Sequence, residues 1–71
     1  MNFKESVILA IKLASKQKEE LVVGRDDGRW LILPIHDARS DQLSPSLIVT
    51  GTGIKYPEDE DLYARLVSQG A

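Results

Sequence analysis

The residue types that do chemistry are sparse in this chain and gather in one stretch, where His36 stands beside Asp37 with Ser40 and Asp41 close behind. A hydroxyl, an imidazole and a carboxylate are the parts of a nucleophilic triad, and one imidazole with two carboxylates is a partial metal set. Either use needs the side chains to converge in space, which neighbours on a polar loop do not achieve by adjacency. A small metal-dependent hydrolase built around His36, Asp37 and Asp41 is therefore one reading. The plainer reading is a surface loop whose Asp and Ser side chains make turns with their own backbone. A single His without any Cys is a poor zinc set, and the acidic spacing matches no calcium loop, so no metal or cofactor is expected.

Two further patterns have chemical spellings with structural explanations. Thr50-Gly51-Thr52-Gly53 follows an apolar run, as a phosphate-cradling loop would, but no Lys-Ser/Thr pair and no immediate helix come after it. The glycines are expected to mark a bulge or turn. Glu58-Asp59-Glu60-Asp61 directly follows Pro57, which is where a helix amino terminus favours negative charge.

Two surfaces are candidates for binding. Lys4, Lys12 and Lys16 lie on the polar side of the first helical pattern and form the one candidate surface for an anionic ligand or nucleic acid. They lack the interleaved Arg and aromatic residues that read or stack on bases, so nucleic acid is not the expected partner. Trp30, the sole Trp, follows Arg29 and leads into Leu31 and Leu33. These four are the candidate partner surface, because an aromatic beside Arg at a strand edge anchors protein contacts.

The elements that must position these residues follow from periodicity. Asn2 with Glu5 three residues on spells a capping box, and Phe3, Val7, Ala10, Ile11 and Ala14 share one stripe, widened by Leu9 and Leu13 with Ile8 on the other flank. A helix is predicted from Phe3 to Lys18. Leu21–Val23 and Trp30–Ile35 are strands around an Asp-Gly hairpin tip, His36–Ser46 is a loop, and Leu47–Thr50 is a third strand, with Ile54 able to resume the pairing. Pro34 has no donor and belongs near a strand end or on an edge. A short helix follows Pro57 and carries Leu62, Tyr63, Leu66 and Val67. The fold class is α+β, ordered α-β-β-β-α, in one domain over residues 1–71.

In the second strand Trp30, Ile32 and Pro34 alternate with Leu31, Leu33 and Ile35, so both faces of the sheet are apolar. A broad first helix covers one face, and a short acidic second helix falls short of covering the other. A symmetric dimer that buries the remaining face or extends an open edge answers that deficit.

Composition sets the outer bounds. Seventy-one residues support one small core, and 42% hydrophobic with 28% charged residues is the balance of a folded chain. No Cys means no disulfide, thiolate metal site or thiol nucleophile. The net charge of -2, divided as +1 over residues 1–29 and -3 over residues 30–71, is unlike a basic nucleic-acid binder. No apolar run reaches the roughly 20 residues that span a bilayer, and no signal-peptide pattern opens the chain, so a cytoplasmic location without membrane partners is expected.

From Glu20 through Val22-Val23-Gly24-Arg25 to the strand ending at Pro34, the chain resembles the hairpin of prevent-host-death antitoxins, in which an acid, a β-branched strand, an Arg-Gly turn and a strand ending near Pro follow a helix. It departs from that pattern in lacking the amino-terminal strand and in carrying Trp30 where the family's turn continues with Pro. The resemblance implies an antitoxin-like DNA-binding regulator using the lysine face. The expectation drawn from the residues themselves is a non-enzymatic protein-binding or regulatory module of bacterial or phage type, acting as a homodimer.

Overall fold

The computed structural model describes residues 2–70. Helix α1 covers Phe3–Gln17, strand β1 Leu21–Asp26, β2 Arg29–Pro34, β3 Ser46–Thr50, β4 Gly53–Ile54 and helix α2 Pro57–Ser68, with a 3-10 turn over Ala38–Gln42. The expected α+β order is present, and the pairing resumed at Ile54 makes a fourth, two-residue strand.

The start of α1 is set by Asn2, whose side chain accepts from the Glu5 backbone N–H at 2.8 Å. Glu5 makes no return bond, so the cap is one-sided. The helix ends at Lys18, which takes a left-handed conformation with φ of 56° and donates its N–H to the Ala14 carbonyl. Phe3, Val7, Ala10 and Ala14 are buried along one stripe, as is Ser6, whose hydroxyl donates to the Asn2 carbonyl at 2.8 Å. Ile8 and Leu9 stay exposed, so the buried arc is narrower than the apolar spread of the sequence.

At the hairpin tip Asp27 and Gly28 both have positive φ, 51° and 80°, the signature of a two-residue primed turn. Such a turn matches the strand twist, so the ladder runs to the turn itself. Gly24, Arg25, Asp26 and Arg29, read from the sequence as turn, are therefore strand.

The sheet order is β2-β1-β3-β4 with every neighbouring pair antiparallel. One face carries Leu21, Val23, Leu47 and Val49, with Trp30, Ile32 and Ile54 beside them. α1 covers this face through Phe3, Val7, Ala10 and Ala14, and α2 packs against the same cluster through Tyr63, Leu66 and Val67. Phe3 sits between Trp30 and Tyr63, with ring centroids at 4.5 and 5.5 Å. The expectation that the second helix would turn to the opposite face is thus corrected. α2 follows the short β4 at the far edge, and its apolar residues reach the α1 side.

The opposite face holds Val22, Leu33, Leu31 and Ile48, and it is covered by the connection between β2 and β3, which seats Leu43 on it. β2 and β3 are both antiparallel to β1 and so parallel to each other, and their connection has to cross β1. Gly24 makes the crossing possible: a Cβ there would overlap the Leu43 Cβ and stand 2.9 Å from Leu43 Cδ1. A second tight approach lies on the other side, where a Cβ on Gly51 would stand 2.8 Å from Ser15 Cα.

Candidate functional site

Two of the four residues with catalytic types, Asp37 and Ser40, hold the crossover in shape. The Asp37 carboxylate accepts from the Arg39 backbone N–H at 2.9 Å and from its guanidinium at 3.2 and 2.9 Å. The Arg39 side-chain bond, helped by the backbone one, lowers the Asp37 carboxyl from 3.8 to about 2 and raises Arg39 in turn. Ser40 is buried, and its hydroxyl donates toward the Asp37 and Ile35 carbonyls at 2.7 and 3.4 Å. Asp37 thus faces Arg39, and Ser40 faces backbone carbonyls, while His36 and Asp41 are exposed. Among the described residues no three His, Asp or Glu side chains gather where they could hold a metal ion.

Thr50-Gly51-Thr52-Gly53 forms the β3–β4 turn, closed by Thr50 Oγ1, which accepts from the Thr52 N–H at 3.2 Å. Thr50, Gly51 and Thr52 border an open depression of about 340 Å³ with Ala14, Ser15, Lys18, Glu19 and Glu20. Lys18 is the sole cation on that border and stands against two carboxylates, so the depression offers a phosphate no net attraction. Glu20 is in turn bonded to Lys55 at 2.8 Å, and that bond raises the Lys55 pKa.

Lys4, Lys12 and Lys16 are exposed on the side of α1 away from the sheet. At about 100° per residue they spread over about 120° of the helix surface. Exposed Ile8 and Glu5 stand among them and exposed Leu9 lies just beyond, so the face is mixed apolar and charged.

The four residues of the candidate partner surface do not share one face. Arg29, Leu31 and Leu33 pair with Asp26, Gly24 and Val22 and lie on the crossover side, whereas Trp30 lies on the helix side. There it packs against Phe3, with the Arg25 guanidinium 5.6 Å from its ring centroid. What the four do share is the edge of the sheet, a backbone feature that side-chain reading passes over.

That edge can be resolved group by group. A two-residue turn makes its flanking residues the first hydrogen-bonded pair, and bonded pairs then alternate along the hairpin. Asp26–Arg29, Gly24–Leu31 and Val22–Leu33 are therefore the bonded pairs of β1 with β2. Arg25 agrees with this phase, since its N–H donates to Pro45 and its carbonyl accepts from Ser44, both on the far side of β1. The backbone groups of Trp30, Ile32 and Pro34 then point out of the sheet. Pro34 has no N–H, and its carbonyl accepts from the Asp37 N–H at 3.0 Å. Two donors and two acceptors, on Trp30 and Ile32, stay without a protein partner among the described residues.

No family model matches the chain, and no curated protein or solved structure matches it either. No helix among the described residues is long and apolar enough to cross a membrane.

Proposed function

We propose that the protein is a non-enzymatic binding module that works through protein contact, with the free edge of β2 as its docking strand. The observation that carries this reading is the run Trp30-Leu31-Ile32-Leu33, an uncharged, unbulged stretch of the outermost strand, its side chains half-buried or buried, whose outward backbone groups on Trp30 and Ile32 meet no covering chain among the described residues. Edges are ordinarily blunted by such devices, and here only Arg29 and Pro34 at its two ends serve that purpose. The opposite edge is β4, two residues long and packed by α2, and it offers no comparable ladder. Strand addition supplies main-chain hydrogen bonds for affinity and alternate side-chain contacts for specificity. Half-buried Leu31 and Trp30 flank the edge on its two faces and provide those contacts.

The test removes the docking bonds and leaves the side chains in place. Extended peptides are selected from a display library against the chain at high dilution, then measured against a chemically synthesised chain carrying an ester in place of the Ile32 amide. Selected peptides are expected to lose about fivefold to tenfold in affinity, the value of roughly one hydrogen bond. Peptides that bind the ester chain equally well refute the edge as the site.

A further inference from the structure

We infer that the occupant of the β2 edge is the β2 edge of a second copy of this chain, paired antiparallel about a two-fold axis at Leu31. The inference rests on the docking-strand reading above and names its partner.

Register decides where the axis lies. Trp30 and Ile32 each present one outward N–H and one outward C=O, two residues apart, while Pro34 presents neither. In an antiparallel pair related by a two-fold axis, the position of the axis decides which outward groups meet. With the axis at Leu31, Trp30 of each copy faces Ile32 of the other, and all four groups of each copy are satisfied by four hydrogen bonds. With the axis at Ile32, that residue pairs with itself and Trp30 falls opposite Pro34, which has no donor and an occupied acceptor. With the axis at Trp30, Ile32 falls opposite Gly28, where the chain has already turned. Of these three symmetric registers, one uses the whole edge.

The side chains agree with the same axis. In this register Leu31 meets its own copy in a non-hydrogen-bonded pair, the closer of the two pair types, on the crossover side of the sheet. Leu31 is the half-buried outer member of the cluster formed by Val22, Leu33 and Leu43. Pairing joins the two clusters into one strip across the axis and covers the apolar surface that the crossover leaves open. On the helix side, Trp30 gains Ile32 of the second copy as its neighbour. Two four-stranded sheets become one eight-stranded sheet whose remaining edges are the short β4 strands.

The expected mass in sedimentation equilibrium at high micromolar concentration is twice 7.9 kDa. Because the chain has no Cys, introduced thiols report the register without background. Leu31→Cys is expected to form a disulfide-linked dimer on mild oxidation, since non-hydrogen-bonded pairs place the Cα atoms about 4.5 Å apart, within disulfide reach. Arg29 faces Leu33 across the axis, so Arg29→Cys and Leu33→Cys are each expected not to self-link but to link when mixed. As a second arm, Leu31→Lys and Leu31→Glu are each expected to sediment as monomers and to form a heterodimer when mixed.

A wild-type chain that stays monomeric at high micromolar concentration overturns the inference. So does a dimer in which Arg29→Cys or Leu33→Cys self-links as fast as Leu31→Cys, because the axis then lies elsewhere. A monomer that still captures extended peptides in an ester-sensitive way overturns this inference and leaves the docking-strand reading standing.

Discussion

Replacing Gly24 with Ala tests whether the crossover is seated directly on the backbone of β1. On a bare strand the change would favour folding by about 0.4–1 kcal/mol, because Ala narrows the unfolded ensemble and suits a strand better than Gly. Here the added Cβ overlaps the Leu43 Cβ and approaches Leu43 Cδ1 and Ser46 Cβ to 2.9 Å each. Either the crossover stays and the overlap costs about 1–3 kcal/mol, or it lifts and gives up the burial of Leu43, about 1.5–3 kcal/mol. Both routes exceed the gain, and the expected net loss is about 1–2 kcal/mol. Against a total stability of about 4–10 kcal/mol for a chain of this length, that is a fall of several degrees in Tm. Urea unfolding followed by Trp30 fluorescence measures it, at a dilution where association adds nothing to stability. Leu43→Gly removes most of the obstruction, so Gly24→Ala is expected to cost little or to stabilise in that background. A coupling of about 1 kcal/mol or more between the two positions is the signature. If Gly24→Ala is neutral or stabilising in the wild-type chain, or costs the same in both backgrounds, Leu43 is not seated on that strand.

Three other perturbations probe the elements around the edge. Phe3→Ala removes the ring buried between Trp30 and Tyr63, and a loss of about 3–5 kcal/mol is expected in the same urea assay, with a red shift of Trp30 emission. Gly51→Ala drives a Cβ toward Ser15 Cα, so the β3–β4 turn must leave α1, at a cost of about 1–3 kcal/mol measurable by thermal unfolding. The Asp37 carboxyl is held at about 2, below its ordinary 3.8, so its contribution to stability is full above the unfolded value and is lost as the pH falls through the folded one. A carboxyl titration by NMR is expected to find the midpoint near 2 in the wild-type chain and raised in Arg39→Gln, though still below the ordinary value because the backbone N–H of residue 39 continues to donate to the carboxylate.

The legible parts of the fold are those encoded over a few residues. The Asn2 cap, the Phe3-to-Ala14 stripe, the Asp27-Gly28 tip and the Pro57 helix start each name their own geometry, and each is where the residues say. The illegible parts depend on residues distant in the chain. That α2 joins α1 on one face follows from where the short β4 leaves it, which α2's own apolar pattern does not encode. That residues 35–45 cover the other face depends on strand order, and a polar loop with two apolar residues does not announce a lid. Gly24 was the available signal: a glycine inside a β-branched run marks a close backbone approach, and Leu43 is what approaches. The candidate surface was half legible. Trp30 and Leu31 do border the binding edge, but the groups argued to bind are main-chain atoms, and their direction required the phase of the hairpin.

The open edge itself follows from one residue. A simple meander would place β2 between β1 and β3, which suits short connections but turns the outward side of Pro34, without a donor, toward a strand that needs a ladder bond there. Moving β2 to the outside satisfies Pro34, leaves its carbonyl for the Asp37 N–H and brings β1 to the centre. β3 must then be reached across β1, and the eleven residues from Ile35 to Pro45 that make the crossing become the cover for the second face. Their path runs from the Pro34 end of β2 to the Ser46 start of β3, over Val22, Leu33 and Gly24. The path lies over the crossover-side face of β1 and β2 and leaves the outward backbone groups of Trp30 and Ile32 free among the described residues. The residue that keeps β2 out of the centre thus also closes one end of the edge to pairing, and Trp30 and Ile32 are left as the segment able to bond a neighbour.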